Sequence, residues 1–279
     1  MKTSIQLKAL VRNLSKLKNV EAEVLLRNYM FERILERVAL SKHKNGFILK
    51  GGMLIAAMVG IDTRTTMDLD ATIKGNVLTE HEIVAIVAAI LSVPLDDSIT
   101  LTLRGTEQIR EEADHPSYRV SIEASLDKMR QTLKIDITTG DVITPREIEY
   151  SFKLMFEDRK IAIMAYNLET VLAEKFETVI TRGIANTRMR DFYDIYILMR
   201  TQSLDKETFR LALKRTTERR KTAHLMLDHK VVIQRITTSM IMISLWERYQ
   251  KRYCYAADIT WEMAAGALSG LAANVTEKL

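Results

Sequence analysis

Asp68 and Asp70 are the first residues whose type and spacing suggest chemistry. They stand in the run Thr65-Thr66-Met67-Asp68-Leu69-Asp70-Ala71, where apolar and polar residues alternate from Met67 onward as on a strand with one buried face. Residues two apart on a strand leave the same face, so the two carboxylates lie side by side. Such a pair repels and loses hydration, a cost that a cation removes. Oxygen-only donors suit Mg²⁺ or Mn²⁺, which keep part of their shell for water and substrate phosphates. Asp136, between Ile135 and Ile137 in a later strand-like run, is a third carboxylate able to complete a metal cluster. Taken singly, a solvated D-x-D pair and an ordinary polar-face Asp136 account for the same residues.

A phosphate cradle is the second element of that chemistry. Phe47-Ile48-Leu49-Lys50-Gly51-Gly52 reads as a buried strand, a tight turn and the start of a helix running from Met53 to Val59. Glycines let backbone approach a ligand closely, and a helix N-terminus offers free N–H groups to a phosphate. A plain strand-to-helix turn is the bland alternative. In the second half, Lys175 lies in or beside the apolar stripe Val171, Leu172, Phe176 and Val179 of a helix. Its i−4 and i+4 neighbours are both valines, so no acid one turn away neutralises it. Arg190-Asp191-Phe192-Tyr193-Asp194 opens the next helix, with Asp191 and Asp194 on one face. Asp191 also fits a helix-start, dipole-stabilising role. Arg188 and Arg190 are available to steer phosphates, or are simply exposed.

In order and spacing, four pieces resemble the nucleotidyltransferase superfamily, and within it the AbiEii/AbiGii-type toxins of abortive-infection and type IV toxin–antitoxin systems. They are Phe47 to Gly52, Thr65 to Asp70, Leu172-Ala173-Glu174-Lys175-Phe176, and Arg190-Asp191-Phe192-Tyr193-Asp194-Ile195-Tyr196. The resemblance covers roughly residues 30 to 200. It implies a metal-dependent enzyme that transfers nucleotide from an NTP, GTP favoured, to RNA, with tRNA the expected acceptor and growth arrest the result. It implies Mg²⁺ or Mn²⁺ on Asp68, Asp70 and Asp136, and catalytic roles for these three with Lys175 and Asp191. Lys50, Gly51, Gly52, Lys175, Arg190 and Asp194 are then expected to bind the nucleotide. The superfamily often has serine where this chain has Gly52, which leaves phosphate holding to backbone N–H groups. Type IV antitoxins need no stable direct contact with the toxin. Two alternatives stay open: transfer to a small-molecule or protein hydroxyl, and a non-catalytic nucleotide-binding module.

These residues need elements to position them, and the 279-residue chain supplies two kinds. Alternating runs at Ile99 to Leu103, Tyr118 to Ala124 and Thr132 to Ile137 join the Phe47 and Met67 runs in a small mixed sheet. Helical periodicity covers Val24 to Val38 and Glu80 to Leu91. From about Leu168 the chain reads as helix throughout: Thr170 to Ile180, Arg190 to Met199, Lys206 to Lys221, Leu225 to Leu245 with a break, and Ile259 to Leu271. The fold class expected is α+β, with a nucleotidyltransferase-type sheet domain over residues 1–150. An all-helical domain over 151–279 is expected to complete the active cleft.

Composition agrees with an enzyme of this kind. A 47% hydrophobic and 28% charged chain can bury a core. A single cysteine, Cys254, excludes a disulfide framework and a cysteine zinc site, and it reads as structural. The five histidines show no ligand spacing. No apolar run reaches the ~20 residues of a membrane span, and Met1 to Gln6 lacks a signal-peptide core, so a soluble cytoplasmic protein is expected. Residues 1–150 carry 20 Lys and Arg against 21 Asp and Glu, whereas 151–279 carry 21 against 15. Lys214-Arg215-Thr216-Thr217-Glu218-Arg219-Arg220-Lys221 concentrates that excess, as a ridge for an RNA backbone or as a solvated face.

Overall fold

The computed structural model describes residues 3–75, 78–110 and 116–275. The chain forms two compact units, Met1–Asp141 with Glu147–Tyr166, and Val142–Arg146 with Asn167–Leu279. The division expected after residue 150 therefore falls inside a strand of the first unit. The chain crosses out at Asp141, returns at Glu147 for one more hairpin, and leaves finally after Tyr166.

The first unit opens with α1 (Ser4–Lys18) and α2 (Ala22–Leu40), followed by β1 (Phe47–Lys50), α3 (Gly51–Val59) and β2 (Leu69–Ile73). Then come α4 (Glu80–Leu91), β3 (Thr100–Arg110), β4 (Ser117–Leu126), β5 (Met129–Thr139), β6 (Ile148–Lys153) and β7 (Lys160–Ala165). The seven strands form one mixed sheet in the order β3-β4-β5-β2-β1-β7-β6. At its centre β1 and β2 are antiparallel, while β2 pairs in parallel with β5 and β1 in parallel with β7. Three hairpin pairings, β3/β4, β4/β5 and β6/β7, fill out the edges.

Alternation decides which face each side chain takes. Leu69, Ala71 and Ile73 of β2, Leu133, Ile135 and Ile137 of β5, and Val120 and Ile122 of β4 are all buried. Asp70, Asp136 and Arg119 occupy the intervening positions and take the opposite face. The α4 helix starts with a full capping box, Thr79 and Glu82 exchanging side-chain and backbone bonds.

α2 departs from the sequence reading. Its charged residues Glu32, Arg33, Glu36 and Arg37 stand between the apolar positions Met30, Phe31, Ile34, Leu35 and Val38, yet all four are buried. Arg37 forms a two-pronged bond with Asp97, Arg33 pairs with Glu36 and Glu157, and Glu32 accepts the Met155 N–H. The helix lies against β5, β7, α1 and α4, so even its polar side is covered and must find partners inside. The β6/β7 hairpin, absent from the sequence reading, supplies two of these partners, Met155 and Glu157.

The second unit comprises α5 (Leu168–Arg182), α6 (Met189–Thr201), α7 (Lys206–Arg219), α8 (His229–Thr237), α9 (Met240–Arg252) and α10 (Trp261–Ala272). Asn167 and Asp205 cap α5 and α7 with side-chain oxygens. The break expected within 225–245 is real: a 3₁₀ turn at Ala223–Asp228 precedes α8, and Thr238 and Ser239 separate α8 from α9. Phe176, Phe192, Phe209 and Trp246 are fully buried at its centre, and the indoles of Trp246 and Trp261 donate to the Ile259 and Thr237 carbonyls. Cys254 is exposed, contrary to a structural role.

Candidate active site

The sheet brings the first-unit candidates together through strand register. Asp70 is the direct cross-strand partner of both Lys50 and Asp136. It is half-buried, and burial pushes its carboxyl above the usual carboxylate range. The Lys50 charge opposes that rise, while Asp136 and then Asp68 add to it; the Gly52 N–H, 3.3 Å from Asp70 Oδ2, also favours the ionised form. Three acidic groups thus share one field, with Asp70 and Asp136 on one face of the sheet. Asp68 is exposed and lies just before β2 rather than in it, so its position is set by the preceding turn, where the Thr66 hydroxyl donates to the Asp68 carbonyl at 3.0 Å.

Both glycines are required by close approach. Gly51 has φ +64°, and a Cβ there would lie 2.7 Å from Asp70 Cβ. At Gly52 a Cβ would lie 2.6 Å from Thr66 Oγ1 and 3.1 Å from an Arg64 nitrogen. The missing serine now has a physical reason, since Thr66 and Arg64 already fill the space its side chain would need. The Gly52 N–H, expected to face a phosphate, donates instead to Asp70. The other N–H groups of the first turn of α3 receive no side-chain cap from Lys50.

Two further pairings were not foreseen. Asp136 is held by Arg119 through both oxygens, Nε to Oδ1 and Nη2 to Oδ2, each at 2.8 Å. Lys50, expected beside the phosphates, gives its ammonium to Asp141, which also accepts from the Thr138 hydroxyl and from Tyr166 Oη at 2.9 Å. The same ammonium sits 5.4 Å from the centre of the Tyr166 ring. Burial would raise the Asp141 carboxyl, but the Lys50 charge and these bonds outweigh it and bring it down to about 2.

In the second unit Lys175, Asp191 and Asp194 form one cluster. The Lys175 ammonium lies 2.8 Å from Asp191 Oδ1 and 2.7 Å from Asp194 Oδ2. Burial disfavours its charge, yet the two carboxylates more than compensate and hold its pKa above the usual lysine value. Asp194 is completely buried, which makes it a support for Lys175 rather than a surface for a nucleotide. Asp191 Oδ2 is buried with no hydrogen-bond partner among the described residues, so that oxygen keeps an unused acceptor. Arg190 donates to Tyr253 Oη at 2.9 Å and lies 5.2 Å over the Tyr253 ring. Sequence spacing thus found the members of each cluster but not Arg119 or Asp141.

The donor set around Asp70 fits a hard divalent cation. It offers carboxylate oxygens only, two of them on adjacent strands in register, with one carboxyl destabilised by burial. Among the described residues, no group of three or more His, Cys, Asp and Glu side chains is already gathered closely enough to hold a metal ion. Asp136 is drawn toward Arg119 instead.

This arrangement, strand then Gly-Gly turn then helix beside in-register carboxylates, belongs to a nucleotidyltransferase fold. A candidate nucleotidyltransferase from H. pylori matches with a TM-score of 0.54 at 16% identity, covering 91% of this chain and 95% of its own. JHP933 from Helicobacter pylori matches with a TM-score of 0.55 at 16% identity, covering 91% of both chains. No curated protein matches by sequence. Residues 33–265 match the AbiEii nucleotidyl transferase toxin family of type IV toxin–antitoxin systems, and the chain belongs to that family. None of its described helices is long and apolar enough to cross a membrane.

Proposed function

We propose that the protein is a divalent-metal-dependent toxin that transfers a nucleotide from an NTP, GTP favoured, to a hydroxyl of RNA, with tRNA as acceptor, in the bacterial cytoplasm. The observation that carries this reading is Asp70 beside Asp136 in register, with the other cross-strand partner of Asp70, Lys50, directly before the glycine turn that opens a helix. Family membership supports nucleotidyl transfer itself and its use as a toxin. The basic second half supports a polyanionic acceptor.

In the reaction the acceptor oxygen forms a bond to the α-phosphorus, the bond from that phosphorus to the bridging oxygen breaks, and pyrophosphate leaves. A cation on Asp68, Asp70 and Asp136 would neutralise phosphate charge and acidify the acceptor hydroxyl. The chain's own groups do the rest. Asp136 takes the acceptor proton through a lone pair that Arg119 does not use, since each carboxylate oxygen keeps a second one. The open N–H groups at the start of α3 hold the β- and γ-phosphates. Asp191 and Asp194 fix the Lys175 ammonium, a cation suited to a departing pyrophosphate. Arg190 serves the nucleotide from its place on Tyr253.

The test is incubation of purified protein with Mg²⁺, each labelled NTP in turn, and total tRNA. Label on RNA that is lost in Asp68→Ala and Lys175→Ala supports the reading. Label only on protein or on a small acceptor, or no transfer with any NTP, overturns it.

A further inference from the structure

Strand register lines up a row of five charged side chains across the sheet. Glu107 of β3, Arg119 of β4, Asp136 of β5, Asp70 of β2 and Lys50 of β1 are successive cross-strand partners. Opposite charges facing each other across strands stabilise a sheet and like charges destabilise it. Along this row the signs alternate at every step except one, between Asp136 and Asp70. That single unfavourable step is the candidate site, and a protein cation flanks it on either side.

The two flanking cations are used differently. Lys50 pairs with Asp141, and its charge opposes the rise of the Asp70 carboxyl. Arg119 engages Asp136 directly with two parallel bonds at 2.8 Å, the strongest geometry available to a guanidinium and a carboxylate. Its other neighbours are also acidic: Glu107 lies 3.9 Å away, and Asp68 adds to the field that keeps it charged. A cation is therefore already seated on Asp136, and it belongs to the chain.

We propose that Arg119 is a positioning residue that serves as the resident counter-cation of the carboxylate site. It fixes the Asp136 carboxylate on the face shared with Asp70 while competing with a divalent cation for its charge. Metal alone is then bound weakly, and tight loading waits for a triphosphate to add its own oxygens and charge. The inference rests on the metal-dependent reading above and goes beyond it, because it assigns a role to a residue outside the acidic set and a loading order to the site.

The probe is Mn²⁺ alone, without nucleotide, titrated into the full chain while free Mn²⁺ is followed by electron paramagnetic resonance. Arg119→Gln removes the competing charge and is expected to tighten Mn²⁺ binding at least about tenfold, as loss of a unit charge a few ångströms from a divalent ion requires. Arg119→Lys keeps a charge but loses the fork, so its affinity is expected between the two, and it serves as the readout if Arg119→Gln fails to fold. A purely structural Arg119 would leave Mn²⁺ affinity unchanged or lower it on removal. Either result in a folded variant overturns the proposal. Asp70→Asn separates the two layers: if it leaves Mn²⁺ binding at the wild-type level, the metal reading itself fails, and this proposal with it. If Asp70→Asn abolishes binding while Arg119→Gln and Arg119→Lys match wild type, only the role of Arg119 is lost.

Discussion

Asp70 carries a conflict between stability and chemistry that a single substitution can expose. Its carboxyl is pushed up by burial and by Asp136, so its ionised form destabilises the fold at neutral pH. Asp70→Asn keeps the shape and removes that charge. We expect the variant to melt at a higher temperature than wild type at pH 7 while nucleotide transfer falls by roughly a thousandfold, the usual scale for loss of a group that stabilises transition-state charge. Thermal melts alongside labelled-NTP assays check both halves, and a lower melting temperature would contradict the electrostatic account. Gly51→Ala acts on the same contact from the other side. Its left-handed φ of +64° and the clash with the Asp70 side chain should together cost about 1–3 kcal/mol, read as a shift in denaturant midpoint.

At the level of elements, α2 holds the clearest pH dependence. Burial pushes Glu32 up to about 8, against the Met155 N–H and Arg33, with Glu157 and Glu36 adding to the rise. The folded state thus keeps a proton that the unfolded chain gives up near the ordinary carboxyl pKa. This contribution to stability is full below that ordinary value and is lost as pH rises through about 8. Wild type should therefore lose on the order of 3 kcal/mol between about pH 5 and pH 9 through this group, and Glu32→Gln should flatten the decline. Chemical denaturation at a series of pH values measures it; parallel curves for the two proteins would refute it. The same helix shows where sequence reading stops. Periodicity located α2, α4, α5, α6, α7 and α10, and one interrupted segment, 225–245, where α8 and α9 lie, because one covered stripe leaves a repeating pattern. Once both sides of a helix are covered, as in α2, a buried Arg37 and an exposed one look alike. The short β6 and β7, with mixed patterns and a six-residue connection, left no alternation long enough to read. Arg119 was within reach: β4 and β5 join through the two-residue turn Asp127-Lys128, and counting back from Leu126↔Met129 sets Arg119 opposite Asp136. That turn contains no glycine or asparagine to announce it, though Asp127 adopts the left-handed φ of +52° itself.

For the molecule as a whole, charge is divided by task. The basic run at the end of α7 is not uniform. Arg220 is committed to Glu174 and Glu177 within its own unit, whereas Lys214 and Arg215 are exposed. Arg215→Glu should weaken RNA binding by roughly tenfold at low salt and make its logarithmic salt dependence shallower by about 1–2, with melting unchanged. Filter binding across a salt series tests this, and an unaltered slope would remove the ridge from the RNA surface. The two candidate clusters were readable because metal-type and cation–carboxylate chemistry needs particular residues at short spacing, as in Asp68 with Asp70 and Asp191 with Asp194. Their supports, Asp141 for Lys50 and Arg119 for Asp136, come from distant segments and follow from pairing alone. The parallel pairing of β2 with β5 has one more consequence. Asp70 waits for a neighbour made 66 positions later, and its strand has no partner on that side until residues 135–139 have been synthesised. A ribosome stalled earlier, or a stop codon before β5, leaves a polypeptide in which this carboxylate pair has never been assembled. Any chemistry that needs Asp70 beside Asp136 thus becomes available only late in translation, as a property of strand order.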